Sequence, residues 1–233
     1  MRRALAFLTP IGGSAPPSPG AMTWFPLAGA LIGALVGAAW WAGERVWPAA
    51  VAAAIAVSVD LALTGLLHID GVGDSADGLL PPLDRQRRLE VMADPRTGSF
   101  GVTAIVAILL LRLAAFAAMA PSVLAIAGVW CASRTAMAVA TRTLPYVRRG
   151  GLASAFQGGS AFGVGVYGVA VAAVLAGIGR RGPGVAAIAA TLLGAAAVLW
   201  LARRRIGGFT GDVLGACGVV GETFGLLTLA AKW

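Results

Sequence analysis

Residues 101–120 read Gly-Val-Thr-Ala-Ile-Val-Ala-Ile-Leu-Leu-Leu-Arg-Leu-Ala-Ala-Phe-Ala-Ala-Met-Ala, with Arg112 as their one charge. The hydrocarbon core of a bilayer is about 30 Å thick, and a helix needs roughly 20 apolar residues to cross it. This stretch has that length and lacks the apolar-polar alternation of a membrane strand, so it reads as a transmembrane helix. The same test finds six more runs, at 24–42, 49–67, 123–141, 161–179, 185–202 and 213–230. The expected fold class is all-α, a polytopic transmembrane helical bundle of seven spans.

Composition agrees. The 233 residues are 58% hydrophobic and 12% charged, and mean hydropathy is +0.84, outside the range of soluble domains of this size. Thirty-three glycines suit closely packed membrane helices. No repeat, long linker or low-complexity tail divides the chain, so residues 1–233 are expected to form a single integral membrane domain.

A net charge of +8 would ordinarily raise nucleic-acid binding, but the arginines lie between the apolar runs and report topology instead. With a cytoplasmic N-terminus, the inner side receives Arg2, Arg3, Arg85, Arg87, Arg88, Arg96, Arg142, Arg148, Arg149, Arg203, Arg204 and Arg205. The outer side receives only Arg45, Arg180, Arg181 and Lys232, the asymmetry of the positive-inside rule. The opening Met-Arg-Arg-Ala-Leu-Ala-Phe-Leu is too short for a signal sequence and is expected to be a cytoplasmic amphiphilic segment. Cys131 and Cys217 fall in apolar runs without metal spacing and read as small packing residues.

Six of the ten acidic residues, Asp70, Asp74, Asp77, Asp84, Glu90 and Asp94, fall within 25 positions of one inner-side connection, beside the only histidine, His68. The connection, 68–100, breaks at Pro81-Pro82. Residues 70–80 are expected to continue a helix from the second run, and 85–92 to form a short helix capped by Asp84. Asp70, Asp74 and Asp77 stand at i, i+4 and i+7, one face of a helix, where three carboxylates repel one another unless a cation sits among them. Oxygen ligands without thiolates favour a hard ion, Mg²⁺ or Mn²⁺ before zinc, and Mg²⁺ commonly completes its shell with substrate phosphate. The expected metal ligands are therefore Asp70, Asp74 and Asp77, with a phosphate-bearing substrate; the proton acceptor is left between His68 and an aspartate.

Further candidates flank this cluster. Asp94, Arg96 and Ser99, with the amides of Gly98 and Gly101, open the third run and offer phosphate donors. Arg134 lies mid-run, where a charge needs a partner or a polar cavity, and is a candidate substrate contact with Arg148; Arg112 raises the same question. Asp212 opens the last run as a substrate-binding residue, metal ligand or N-cap. Glu222 lies ~15 Å deeper and needs a partner of its own.

The run Thr64-Gly65-Leu66-Leu67-His68-Ile69-Asp70-Gly71-Val72-Gly73-Asp74-Ser75-Ala76-Asp77-Gly78, followed by residues 88–101, resembles the cobalamin synthase family, the adenosylcobinamide-GDP ribazoletransferases. Residues 25–33 and 208–216 also resemble that family's signatures, in the same order, so the likeness covers nearly the whole chain. Leu66 stands where the family pattern has a second glycine, Gly73 where alanine is usual, and Pro95 where serine is common.

The resemblance implies a Mg²⁺-dependent transferase of the cell inner membrane with its active site on the cytoplasmic side. Its substrates would be adenosylcobinamide-GDP and α-ribazole, or α-ribazole 5′-phosphate, and its products adenosylcobalamin, or its 5′-phosphate, and GMP. Homo-oligomers are compatible with the sequence but not specified by it. A CDP-alcohol phosphotransferase would need an Ala-Arg after Asp77-Gly78, which is lacking. A secondary transporter would need related halves and midplane acids, whereas these acids crowd one face.

Overall fold

The computed structural model describes residues 1–10, 19–148 and 160–233. Arg149, assigned above to the inner side, lies outside the described residues. Among the described residues ten helices follow in order: α1 (Arg2–Leu8), α2 (Pro19–Met22), α3 (Phe25–Glu44), α4 (Ala49–Leu63), α5 (Leu67–Leu79), α6 (Arg85–Val91), α7 (Ser99–Ala117), α8 (Val123–Thr143), α9 (Ala161–Ile206) and α10 (Gly211–Ala230). Among the described residues there is no strand, only one parallel bridge between Tyr146 and Phe209.

Five of these helices are long and apolar enough to cross a membrane, or six if α4 and α5 count together as one bent span. The fifth and sixth runs expected from sequence are both in α9. It leaves helical geometry at Arg180 and Arg181, with Arg181 at φ +48°. Beyond the break it doubles back, since a Cβ on Gly184 would lie 2.0 Å from the Ala176 carbonyl oxygen. The first arm packs on α8 and the second on α10 (Gly128 against Ala172; Gly194 and Thr191 against Gly221).

Close helix approach is set by small residues, as expected where packing rather than water drives association. On α3, Gly29 and Gly33 lie so near the Trp130 and Ile126 carbonyls of α8 that an added Cβ would stand 2.5 and 2.7 Å away. Trp40 of α3 meets Phe116 of α7 edge-on at 4.9 Å, and both are fully buried. Cys131 and Cys217 are free and buried, as their packing role requires.

Two departures from the expected pattern shape the site. The second run ends early, at Leu63, and the chain then turns 88° into α5 instead of continuing straight. Gly65 at φ +57° and Leu66 at φ +62° make this corner, both in the left-handed region. As a result α5 lies across the starts of α10 and α7: His68 stands against Gly215, Gly71 against Asp212, and Asp77 against Gly98. It runs along the face of the bundle and does not cross it.

The buried charges form the second departure. Arg112 donates to Asp60 at 2.8 Å and to Glu222 at 3.2 Å, and the Trp130 indole donates to Asp60 at 2.8 Å. Arg134 pairs with the other oxygen of Glu222, which also accepts from Ser133 at 3.0 Å. Two guanidiniums and two carboxylates from α4, α7, α8 and α10 thus neutralise one another inside the bundle, which burial of a charge demands.

Candidate active site

The candidate site is the mouth of the bundle where α5 crosses the starts of α10 and α7. Its floor depends on residues with no side chain. A Cβ on Gly71 would lie 2.6 Å from the Asp212 carbonyl oxygen, so only glycine allows α5 to rest on the first turn of α10. The start of α10 is in turn fixed by backbone pairing. Val147 N–H donates to the Phe209 carbonyl at 3.1 Å, and Phe209 N–H to the Pro145 carbonyl at 3.0 Å. This short pairing sets Arg148 beside Asp212, with Nη1 3.3 Å from Oδ2. Thr210, not Asp212, is the N-cap, its hydroxyl accepting from Val213 N–H at 3.2 Å.

On α5, Asp70 is exposed and Asp74 half-buried. The Asp74 carboxyl is pushed up to about 7, first by burial and then by the carboxylates of Asp212 and Asp70, against a smaller opposing pull from Arg148. Charge on Asp74 is costly in this company, and a cation would relieve it.

Asp77 faces elsewhere. Its two oxygens accept from the backbone N–H of Gly98 at 2.6 Å and of Gly101 at 2.9 Å, so it is seated in the N-terminus of α7. The three-carboxylate convergence expected from the i, i+4, i+7 spacing is not what the structure shows. Among the described residues no three acidic, imidazole or thiol groups gather as metal ligands. The Gly98 and Gly101 amides, expected to face phosphate, are occupied by Asp77.

His68 is 3% exposed, and neither ring nitrogen has a hydrogen-bond partner among the described residues. Its backbone stands against Gly215 of α10. Arg134 is 1% exposed and joined to Glu222 inside the bundle, in place of the substrate contact expected for it. Asp94 and Arg96 pair with each other, Nη2 to Oδ2 at 2.7 Å. Hydrogen bonds from the Arg96 side chain and backbone hold the Asp94 carboxyl well below the usual carboxylate range. The Arg96 side chain is 87% exposed and Ser99 is exposed at the first turn of α7, so both remain open to a ligand.

Sequence reasoning missed two residues. Arg88, 2% exposed, donates to the Gly78 and Leu79 carbonyls at 2.8 Å each and so ties the end of α5 to α6. Nothing in the sequence separates it from the other loop arginines. Asp60 gave a signal, an acid inside an apolar run, which points to a buried partner. The short helix expected at 85–92 is α6, and Asp84 caps it by accepting from Arg87 N–H at 2.9 Å.

The family model for cobalamin-5-phosphate synthase matches residues 1–230. A Bradyrhizobium diazoefficiens protein named adenosylcobinamide-GDP ribazoletransferase is 37% identical over 99% of this chain and 93% of its own length. Proteins of the same name from Chlorobium phaeovibrioides and Brucella ovis are 34% and 37% identical, over 86% and 88% of this chain and 83% of each relative. No solved structure matches the chain. With a family model that matches residues 1–230 and relatives 34–37% identical over most of the chain, the chain belongs to the cobalamin-5-phosphate synthase family.

Proposed function

We propose that this protein joins adenosylcobinamide-GDP and α-ribazole, or α-ribazole 5′-phosphate, to give adenosylcobalamin, or its 5′-phosphate, with release of GMP. Relatives across nearly the whole chain carry the name of that activity. The observation that supports it most directly is the meeting of Asp74 on α5 with Asp212 and Arg148 at the start of α10, an acidic site beside a cation at an open mouth.

The reaction is displacement at phosphorus by a sugar hydroxyl, in which catalysis is mostly positioning and charge neutralisation. The proposal includes Mg²⁺ as cofactor. The donor set fits it: carboxylate oxygens with no thiolate or exposed imidazole at the mouth, where one or two carboxylates plus phosphate oxygens satisfy this ion. When bound, Mg²⁺ neutralises negative charge on the pyrophosphate and the departing GMP. Asp70 and Asp74 would hold it. Arg96, Ser99 and Arg148 would take phosphate oxygens, and Asp94 would orient Arg96. A mouth carboxylate left unsaturated would accept the hydroxyl proton. Burial of His68 favours this over the imidazole. The tetrapyrrole, too large for the bundle, would lie over the mouth.

The proposed location is the cell inner membrane, multi-pass, with the mouth and the N-terminus cytoplasmic. The arginine distribution supports this. So does the placing of α1 at the start of α3, with Phe7 and Phe25 5.9 Å apart, and of Thr23 beside Arg142 at the end of α8. The test is incubation of purified membranes with adenosylcobinamide-GDP and α-ribazole, with and without Mg²⁺. GMP release that needs the ion and is lost in Asp74→Asn, while the variant still inserts, is the expected result; full activity in Asp74→Asn ends the metal-site reading, and wild-type membranes that release no GMP end the proposed reaction.

A further inference from the structure

The last turn of α9 carries Arg203, Arg204 and Arg205, all exposed. Helix α6 adds a fourth cation. Arg85, also exposed, donates from Nε to the Ile206 carbonyl at 2.8 Å, so its guanidinium is held at the end of α9. The buried Arg88 of the same helix feels the crowding: its guanidinium is pulled below the usual arginine value, first by burial and then by the charge of Arg205, against a smaller opposing pull from Asp84.

No acid answers this patch. Among the described residues, none of Arg85, Arg203, Arg204 and Arg205 pairs with a carboxylate. The acids of α6 are used elsewhere, Glu90 on Arg87 at 3.1 Å and Asp84 as the helix cap. The carbonyl pole of α9 favours cations at its last turn, which explains why they are tolerated but leaves four positive charges without a counterion.

The face of α9 that leads to the patch decides which counterion fits. Leu193, Ala196, Ala197, Trp200, Arg203 and Arg204 follow helical spacing along one face, and all are exposed, Leu193 at 70% and Trp200 at 57%. The Arg204 guanidinium lies over the Trp200 ring, 4.5 Å from its centroid. From Leu193 to Arg204 the helix rises about 16 Å, close to the ~15 Å depth of one leaflet's hydrocarbon. An acyl chain can therefore lie along the apolar part while its headgroup phosphate reaches the guanidiniums, with the tryptophan at the boundary where such rings collect. A soluble nucleotide would meet the cations alone; a phospholipid meets both parts.

We infer that the end of α9, with Arg85 of α6, is a binding site for an anionic phospholipid, whose headgroup phosphate sits among the four arginines and whose acyl chain follows Leu193 to Trp200. The inference needs the bundle to lie in a bilayer and does not depend on the proposed reaction. Basic clusters at the end of a membrane helix recognise anionic headgroups through charge, and the tail contact adds apolar area.

The test is native mass spectrometry of the full chain in detergent, titrated with phosphatidylglycerol or with phosphatidylcholine of the same acyl chains. Wild type should bind the first phosphatidylglycerol roughly tenfold or more tightly than phosphatidylcholine, since each arginine near an anionic headgroup contributes about fivefold. Replacing Arg203, Arg204 and Arg205 together by Gln should cut that preference to within about threefold. Arg2→Gln with Arg3→Gln, which removes exposed cations at the other end of the chain, should keep it, and an excess of GDP should leave the lipid bound. Equal binding of the two lipids by wild type, an equal loss in the Arg2 and Arg3 variant, or displacement of the lipid by GDP overturns the inference. Where the triple variant does not accumulate, Arg204→Gln decides: it should lose about fivefold in preference, and no loss overturns the site. GMP release is no part of these readouts, so the lipid site and the proposed reaction fail separately.

Discussion

Arg112 of α7 donates to Asp60 of α4 across 2.8 Å, with the two side chains 2% and 6% exposed. The link joins the helix that leads into α5 to the helix that Asp77 caps, so the depth of the bundle and the geometry of the mouth share one support. Glu222 extends it by bridging Arg112 and Arg134.

Truncating one member leaves a buried charge without its partner, at a cost of about 3 kcal/mol or more. Glu222→Ala should therefore lower the unfolding temperature in detergent sharply, and Glu222→Gln by less, because an amide keeps one acceptor. A thermal scan in which Glu222→Ala matches wild type would remove the network's structural role.

Leu66 holds φ at +62°, a conformation that costs an L-residue roughly 1–2 kcal/mol. Its side chain is 56% exposed and gives little packing in return. Leu66→Gly should be neutral or stabilising by up to about 1 kcal/mol once the entropy of glycine is deducted. Leu66→Val, branched at Cβ, should destabilise. A loss above about 1 kcal/mol in Leu66→Gly would show that the leucine side chain matters more than the corner.

Arg88 satisfies the two carbonyls that end α5. Arg88→Met removes both donors, and each buried carbonyl left unpaired costs about 1–3 kcal/mol. Unfolding should begin at lower temperature, and amide exchange should rise first at residues 78–80. Protection unchanged there would deny the clasp.

Arg96 holds Asp94 low by hydrogen bonds from side chain and backbone. A depressed carboxyl contributes stability that is present above its unfolded value and is lost as pH falls through the folded one. Arg96→Ala should move the Asp94 titration up toward about 3.9 in ¹³C-aspartate spectra. If Arg96 also binds phosphate, the same variant should raise KM for adenosylcobinamide-GDP about tenfold or more with kcat nearly kept. An unchanged KM would remove Arg96 from the substrate site.

The helical runs were legible because apolar length is a local property. Once a segment is apolar enough to leave water, its backbone must bond to itself, and only helices of about that length do so. The short helix after Pro81-Pro82 was legible for the same reason, since Asp84 announces its cap in sequence. The early end of α4 was not. No proline stops the helix at Leu63, and the turn rests on Leu66 in a conformation that its residue type argues against.

Sequence determined, by itself, that this is a helical membrane protein with its acids massed at one face and with the signatures of one family. Tertiary structure alone decided which acids face one another. Spacing along α5 put Asp77 with Asp70 and Asp74, but the start of α7 binds Asp77 while the start of α10 brings Asp212 to Asp74. It decided equally that Arg134 meets Glu222, 88 positions away. The reason is physical: periodicity fixes the face of a helix on which a side chain lies, whereas its partner is fixed by whichever helix packs there, and that depends on glycines far apart in the chain.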